Sequence, residues 1–169
     1  MTQAPVPAEL LMSGGLVRHT DSVEATGRLG AAFASALRVG DVVALRGDLG
    51  AGKTRFVAGM VHAFDPHARV RSPSFTLVNE YLLATPIFHL DLYRLERSSE
   101  TDSLGLEEYA SRGALIVEWG ERLPSSWLAE ALMIAITSGE GDQRTFSASA
   151  FGGRGKELLE AWRALPEAP

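Results

Sequence analysis

The chain has 169 residues, 46% hydrophobic and 22% charged, which is ordinary for a globular protein and enough for one core without covalent staples. It has no cysteine, so disulfides, thiolate metal sites and a cysteine nucleophile are excluded, and a reducing compartment suits it. A net charge of −5 argues against a broad DNA- or RNA-binding face of its own, and no apolar run approaches bilayer length, so no membrane partner is expected.

Residues 1–15, with Pro5, Pro7, Gly14 and Gly15, read as a flexible N-terminal extension. They lack a basic segment ahead of an apolar one, so no secretory signal is read and the expected location is cytoplasmic. Residues 16–165 read as a single domain and 166–169 as a tail. Leu16–His19 is a short strand. A helix over 22–38 follows, with Asp21 or Ser22 as its cap and Val23, Leu29, Phe33 and Leu37 on one face. Asp41–Leu45 is a buried strand. The helix from Lys53 stops near Phe64, because Asp65-Pro66 breaks it. Arg69–Phe75 is an extended loop, and Phe75–Leu83 and Ile87–Leu92 are antiparallel strands. A polar stretch leads to a short helix from Leu104, ended by Gly113. Ala114–Trp119 is a buried strand and 123–128 a loop. Ala131–Thr137 and Arg144–Ala150 form a hairpin, and Lys156–Leu165 a last amphipathic helix. The fold class is α/β: one P-loop NTPase-like domain with a mixed parallel and antiparallel sheet flanked by helices.

Between the strand at 41–45 and the helix at 53 lies Gly47-Asp48-Leu49-Gly50-Ala51-Gly52-Lys53-Thr54, which fits the Walker A pattern. Its glycines let successive N–H groups point inward, and the helix start adds its positive dipole end. Lys53 can place an ammonium between the β- and γ-phosphates, and Thr54 a hydroxyl on Mg²⁺. Hydrolysis needs more. Asp91 ends an apolar strand, as a Walker B acid or as a simple turn cap. Glu118 follows the apolar run Leu115–Val117 and is either a ligand at the strand's carboxyl edge or a solvated strand end. Ser72, Ser74 and Thr76 lie in a loop that suits a γ-phosphate switch, or a Ser/Pro turn. His89 alternates with Asp91, so both face one side; it fills a polar gap or assists water, with the first favoured. The arginines at 94, 112, 122, 144 and 154 are scattered, and the sequence does not choose among them.

Four ordered motifs are similar to those of the TsaE (YjeE) ATPases of bacterial tRNA threonylcarbamoyladenosine synthesis. They are the phosphate loop, Ser72-Pro73-Ser74-Phe75-Thr76-Leu77-Val78, His89-Leu90-Asp91-Leu92-Tyr93-Arg94-Leu95 and Val117-Glu118-Trp119. The resemblance implies an ATPase using ATP and Mg²⁺, with catalytic Lys53, Asp91 and Glu118. Asp48, Leu49, Gly50, Ala51, Gly52, Lys53 and Thr54 would bind nucleotide, and Thr54, Asp91 and Glu118 the metal. Ser72, Ser74 and Thr76 would form the switch, and Glu24 and Thr26 would lie near the base. The implied partner is a TsaB–TsaD heterodimer, which modifies adenosine next to the tRNA anticodon and holds most of the tRNA. Two other readings stay open on the residues alone: a small-molecule P-loop kinase, and a nucleotide-binding scaffold with little hydrolysis.

Overall fold

The computed structural model describes residues 16–167; the expected extension at 1–15 and the last two residues of the expected tail lie outside the described residues. Strands β1 (Val17–Thr20), β2 (Val42–Arg46), β3 (Val78–Tyr81), β4 (Ile87–Asp91), β5 (Ala114–Glu118), β6 (Leu132–Ser138) and β7 (Arg144–Ala150) form one sheet. Helices α1 (Val23–Ala34), α2 (Lys53–His62), α3 (Leu106–Arg112), α4 (Ser125–Leu128) and α5 (Gly153–Arg163) connect or cover them. The strand order is β1-β7-β6-β2-β5-β4-β3. The four central strands β6, β2, β5 and β4 are parallel, while β7, β1 and β3 pair antiparallel outside them. The expected mixed sheet is therefore present.

Period-two alternation divides the core. Val43, Leu45, Ile87, Ile116, Ile134 and Phe146 point to the face covered by α1, α2 and α5, where Phe33, Phe56, Met60 and Trp162 fill the space. Val42, Ala44, Phe88, Leu90, Leu115 and Val117 point to the other face and meet Leu106 and Leu123. Helix α1 crosses α2 so closely that a β-carbon at Gly59 would collide with the carbonyl of Gly27, and one at Gly30 with that of Phe56.

Several boundaries differ from the sequence reading. Helix α1 starts as expected, with the Ser22 hydroxyl accepting from the Ala25 N–H at 3.0 Å, but it ends at Ala34 rather than 38. The buried Asp41 carboxylate accepts from the Arg38 N–H at 2.7 Å and turns the chain early into β2. Strand β3 is shorter than 75–83 because Leu77 takes φ 67° and its N–H closes a turn onto the Pro73 carbonyl. One helical turn occupies Ser125–Leu128 where a loop was expected, nucleated by bonds to the Pro124 carbonyl. Helix α5 begins at Gly153, three residues before the expected start.

Candidate functional site

The phosphate loop, Glu118 and Asp91 sit at the carboxyl ends of parallel strands, where open α/β sheets bind ligands. Strand β2 feeds the phosphate loop, β5 ends in Glu118 and β4 ends in Asp91. The register places Glu118 level with Leu45 on one side and with Asp91 on the other. Residues 87, 89 and 91 of β4 and 114, 116 and 118 of β5 share the face that α2 covers. His89, Asp91 and Glu118 are thus turned toward the N-terminus of α2, which is where Lys53 and Thr54 begin the helix.

The loop itself needs glycine. Gly50 and Gly52 have φ of 80° and 104°, a region that other residues rarely adopt, and Gly52 is the N-cap of α2. The curl leaves the first N–H groups of α2 directed into a cleft of ≈ 480 Å³. Residues 49–55, Ser72, Ser74, Phe75, Asp91, Tyr93, Arg94, Glu118 and Trp119 line it. Lys53 is buried and donates to the carbonyls of Gly47 and Asp48, the latter at 3.0 Å; its ammonium also lies 4.6 Å from the centre of the Trp119 ring. Burial lowers the lysine's pKa, against the opposing pull of Glu118, Glu121, Asp91 and Asp48.

Thr54 donates its hydroxyl to Glu118 Oε1 at 2.7 Å, and His89 Nε2 reaches the same oxygen at 3.1 Å. Asp91 accepts from the Tyr93 N–H at 2.8 Å and from the Ser72 hydroxyl at 3.3 Å. The two acids are displaced in opposite senses. Burial raises the Asp91 pKa, aided by the charge of Glu118 and opposed by the Tyr93 N–H. Burial also opposes charge on Glu118, but the His89 bond and charge, Thr54 and Lys53 outweigh it and hold that carboxyl below its ordinary value. A cation between them would relieve the repulsion.

The donor set fits Mg²⁺: one hydroxyl and two carboxylates, all hard oxygens, beside a loop built for phosphate. Among the described residues no group of three or more His, Cys, Asp or Glu makes a fuller cage, and Mg²⁺ takes its remaining ligands from phosphate and water.

The other expected site residues divide. Asp48 and Leu49 are exposed at the loop tip, and Leu49 lines the cleft. Ser72 and Ser74 line it, whereas Thr76 turns its hydroxyl away to Asn79 at 2.9 Å. Thr26 is buried under the loop, bonded to Thr20 at 2.8 Å, and Glu24 opens onto a separate pocket with Arg28, Arg55 and His62. Neither lines the cleft.

Two arginines that sequence reasoning left unassigned support the site from a distance. Arg144 on β7 donates from Nε to the Ala51 carbonyl at 2.9 Å and from Nη2 to that of Gly50 at 3.2 Å, clamping the phosphate loop. Arg122 donates from one nitrogen to the carbonyls of Leu92, Tyr93 and Leu95, the first at 3.0 Å and the last at 2.8 Å, fixing the turn after Asp91. No local signal could reveal contacts 93 and 30 residues away in sequence. Arg94, within the third motif, lies 4.6 Å from the centre of the Phe75 ring across the cleft mouth. Trp119 holds φ 57°, a strained value for an aromatic residue, and its ring packs between Lys53, Tyr93 and Arg122.

Residues 20–146 match the protein-family model described as threonylcarbamoyl adenosine biosynthesis protein TsaE. The chain is similar to the tRNA threonylcarbamoyladenosine biosynthesis protein TsaE of Bacillus subtilis, 38% identical over 84% of this chain and 88% of the relative. The protein of the same name from Haemophilus influenzae is 35% identical over 72% and 77%. Among solved structures, the crystal structure of Bacillus subtilis YdiB aligns with TM-score 0.69 and 34% identity, covering 87% of this chain and 93% of that one.

Proposed function

The chain belongs to the TsaE family, and from that premise we propose that it is an ATPase of tRNA threonylcarbamoyladenosine synthesis. In this reading it binds ATP with Mg²⁺ and hydrolyses it in support of a TsaB–TsaD heterodimer, which modifies adenosine next to the anticodon and holds the tRNA. The reaction belongs in the cytoplasm; among the described residues no helix is long and apolar enough to cross a membrane. The observation that carries the reading is the convergence of the Walker A loop, Glu118 and Asp91 at the ends of three adjacent parallel strands, with Thr54 already in contact with Glu118.

Each group has a task. The N–H groups at the start of α2 would bind the phosphates, and Lys53, which now donates to the Gly47 and Asp48 carbonyls, would place its ammonium between the β- and γ-phosphates. Thr54, Glu118 and Asp91 would hold Mg²⁺, which when bound neutralises charge on the β- and γ-phosphates. Water attacks the γ-phosphorus; its new P–O bond forms as the bond to the β,γ-bridging oxygen breaks, releasing ADP and phosphate. Ser72 and Ser74 line the cleft, and in this reading they form a switch that reports hydrolysis. The acidic net charge agrees with tRNA being held by the partners rather than by this chain.

The test is ATP hydrolysis by the protein alone and with the purified heterodimer, with and without tRNA, beside a screen of small acceptors. A rate that rises with the heterodimer and ignores the acceptors supports the reading. Phosphate appearing on an acceptor would replace it with the kinase. Glu118→Ala and Asp91→Ala should each abolish hydrolysis and spare heterodimer binding; undiminished turnover in both would overturn the site assignment.

A further inference from the structure

We infer that His89 is a positioning residue whose task is to fix the rotamer of Glu118, an inference that rests on the ATPase reading above. His89 is fully buried on the sheet face that α2 covers, between Ile87 and Asp91 on its own strand, level with Ile116 on β5 and Asn79 on β3, with the Tyr81 ring centre 6.5 Å from its own. It makes one hydrogen bond, to Glu118 Oε1 at 3.1 Å, and its Nδ1 is buried without a partner among the described residues. Burying an imidazole with half its polar capacity unmet opposes folding. The bond that remains must therefore account for the residue.

Its geometry does so. An ionised carboxylate only accepts, so Nε2 carries the proton and donates. His89 and Thr54 both donate to Oε1, so the carboxylate is held at one oxygen from two directions. Oε2 accepts no hydrogen bond among the described residues, and Glu118 lines the cleft. The outcome is a carboxylate with one oxygen anchored to the protein and the other presented to the ligand. Thr54 is shared with the phosphate loop, whereas His89 Nε2 has no second acceptor among the described residues and is the dedicated anchor. A ligand-facing group held by a buried donor commonly loses about 10–100-fold in activity when that donor is removed.

The experiment compares wild type, His89→Leu, His89→Gln and Glu118→Gln. Its readouts are kcat, nucleotide Kd by titration calorimetry, and ¹⁵N NMR of labelled histidine. Leu fills the site without a polar atom, and Gln restores a donor at the end of its side chain. The expected result is a protonated Nε2 on His89, whose resonance shifts in Glu118→Gln. His89→Leu should lose about 10–100-fold in kcat with Kd within about twofold of wild type, and His89→Gln should recover much of that loss. Wild-type kcat in His89→Leu, while Glu118→Gln is inactive, would overturn the inference. So would a His89 resonance that ignores Glu118→Gln, a readout that stands even where His89→Leu does not fold. Absence of hydrolysis in wild type under every partner condition would instead overturn the ATPase reading, and the NMR would still decide the contact.

Discussion

Replacing Arg144 by Met keeps the aliphatic stem and removes the guanidinium that clamps the phosphate loop. Two of its hydrogen bonds end on the carbonyls of Gly50 and Ala51, at 3.2 and 2.9 Å. Both flank the backbone that must hold φ of 80° and 104° at Gly50 and Gly52. A hydrogen bond from a charged donor is worth about 1.5–3 kcal/mol when buried. Arg144 is half-buried, so solvent screening reduces each bond, and about 1–3 kcal/mol for the two together is reasonable. That energy keeps the loop in its binding shape before nucleotide arrives. Losing it lowers the competent fraction and weakens ATP and ADP alike by about 5- to 150-fold. The assay is calorimetric titration of both nucleotides, with amide hydrogen exchange of residues 48–54 in protein without nucleotide. Exchange there should quicken while the core strands stay protected. Nucleotide affinity and loop exchange both within twofold of wild type would refute the clamp.

Asp91→Asn tests the buried acid through its stability rather than its turnover. Burial raises the folded-state pKa of Asp91 above its unfolded value, so the folded form binds more protons between the two, and its stability falls as pH rises through that window. The Asn variant should therefore melt higher than wild type at neutral pH in EDTA, with the gap closing as pH drops through the carboxylate range; parallel curves at all pH values would contradict the placement. Arg154→Ala should destabilise by about 1–3 kcal/mol in urea, because it strips the buried Asp41 of a guanidinium at 2.7 and 3.2 Å, a loss that Asp41→Asn in the same chain should reduce. Gly59→Ala should be the most damaging single methyl, by more than about 3 kcal/mol or to the point of insoluble expression, since the obstacle is the Gly27 backbone and not a side chain that can move. Asn79→Ala should leave the melting point within a few degrees but quicken exchange over 71–77, where its amide bonds the Arg71 carbonyl at 3.0 Å and the Thr76 hydroxyl at 2.9 Å; unchanged exchange would show that the loop is held otherwise.

Local physics made a good part of this protein legible in its residues. Gly47-Asp48-Leu49-Gly50-Ala51-Gly52-Lys53-Thr54 after an apolar strand reads as a phosphate loop, because glycine readily takes the backbone angles found at 50 and 52, which other residues rarely adopt. Period-two alternation put His89 and Asp91 on one face, and the structure keeps them there, with the histidine bonded to Glu118 rather than idle. The hairpin of β6 and β7 and the antiparallel pair of β3 and β4 followed from short connections. What the sequence could not state was strand order. Insertion of β5 between β2 and β4 is a choice among nonlocal pairings of similar local propensity, and it alone brings Glu118 level with Asp91 and within 2.7 Å of Thr54. The same holds for Arg144, which reaches the loop only because β7 folds back beside β6. The left-handed backbone at Leu77 and Trp119 is likewise imposed from outside, since neither residue favours it and surrounding contacts hold it. Period, glycine and caps act over a few residues and are written in the chain; the meeting of distant groups depends on which surfaces the folded core buries together.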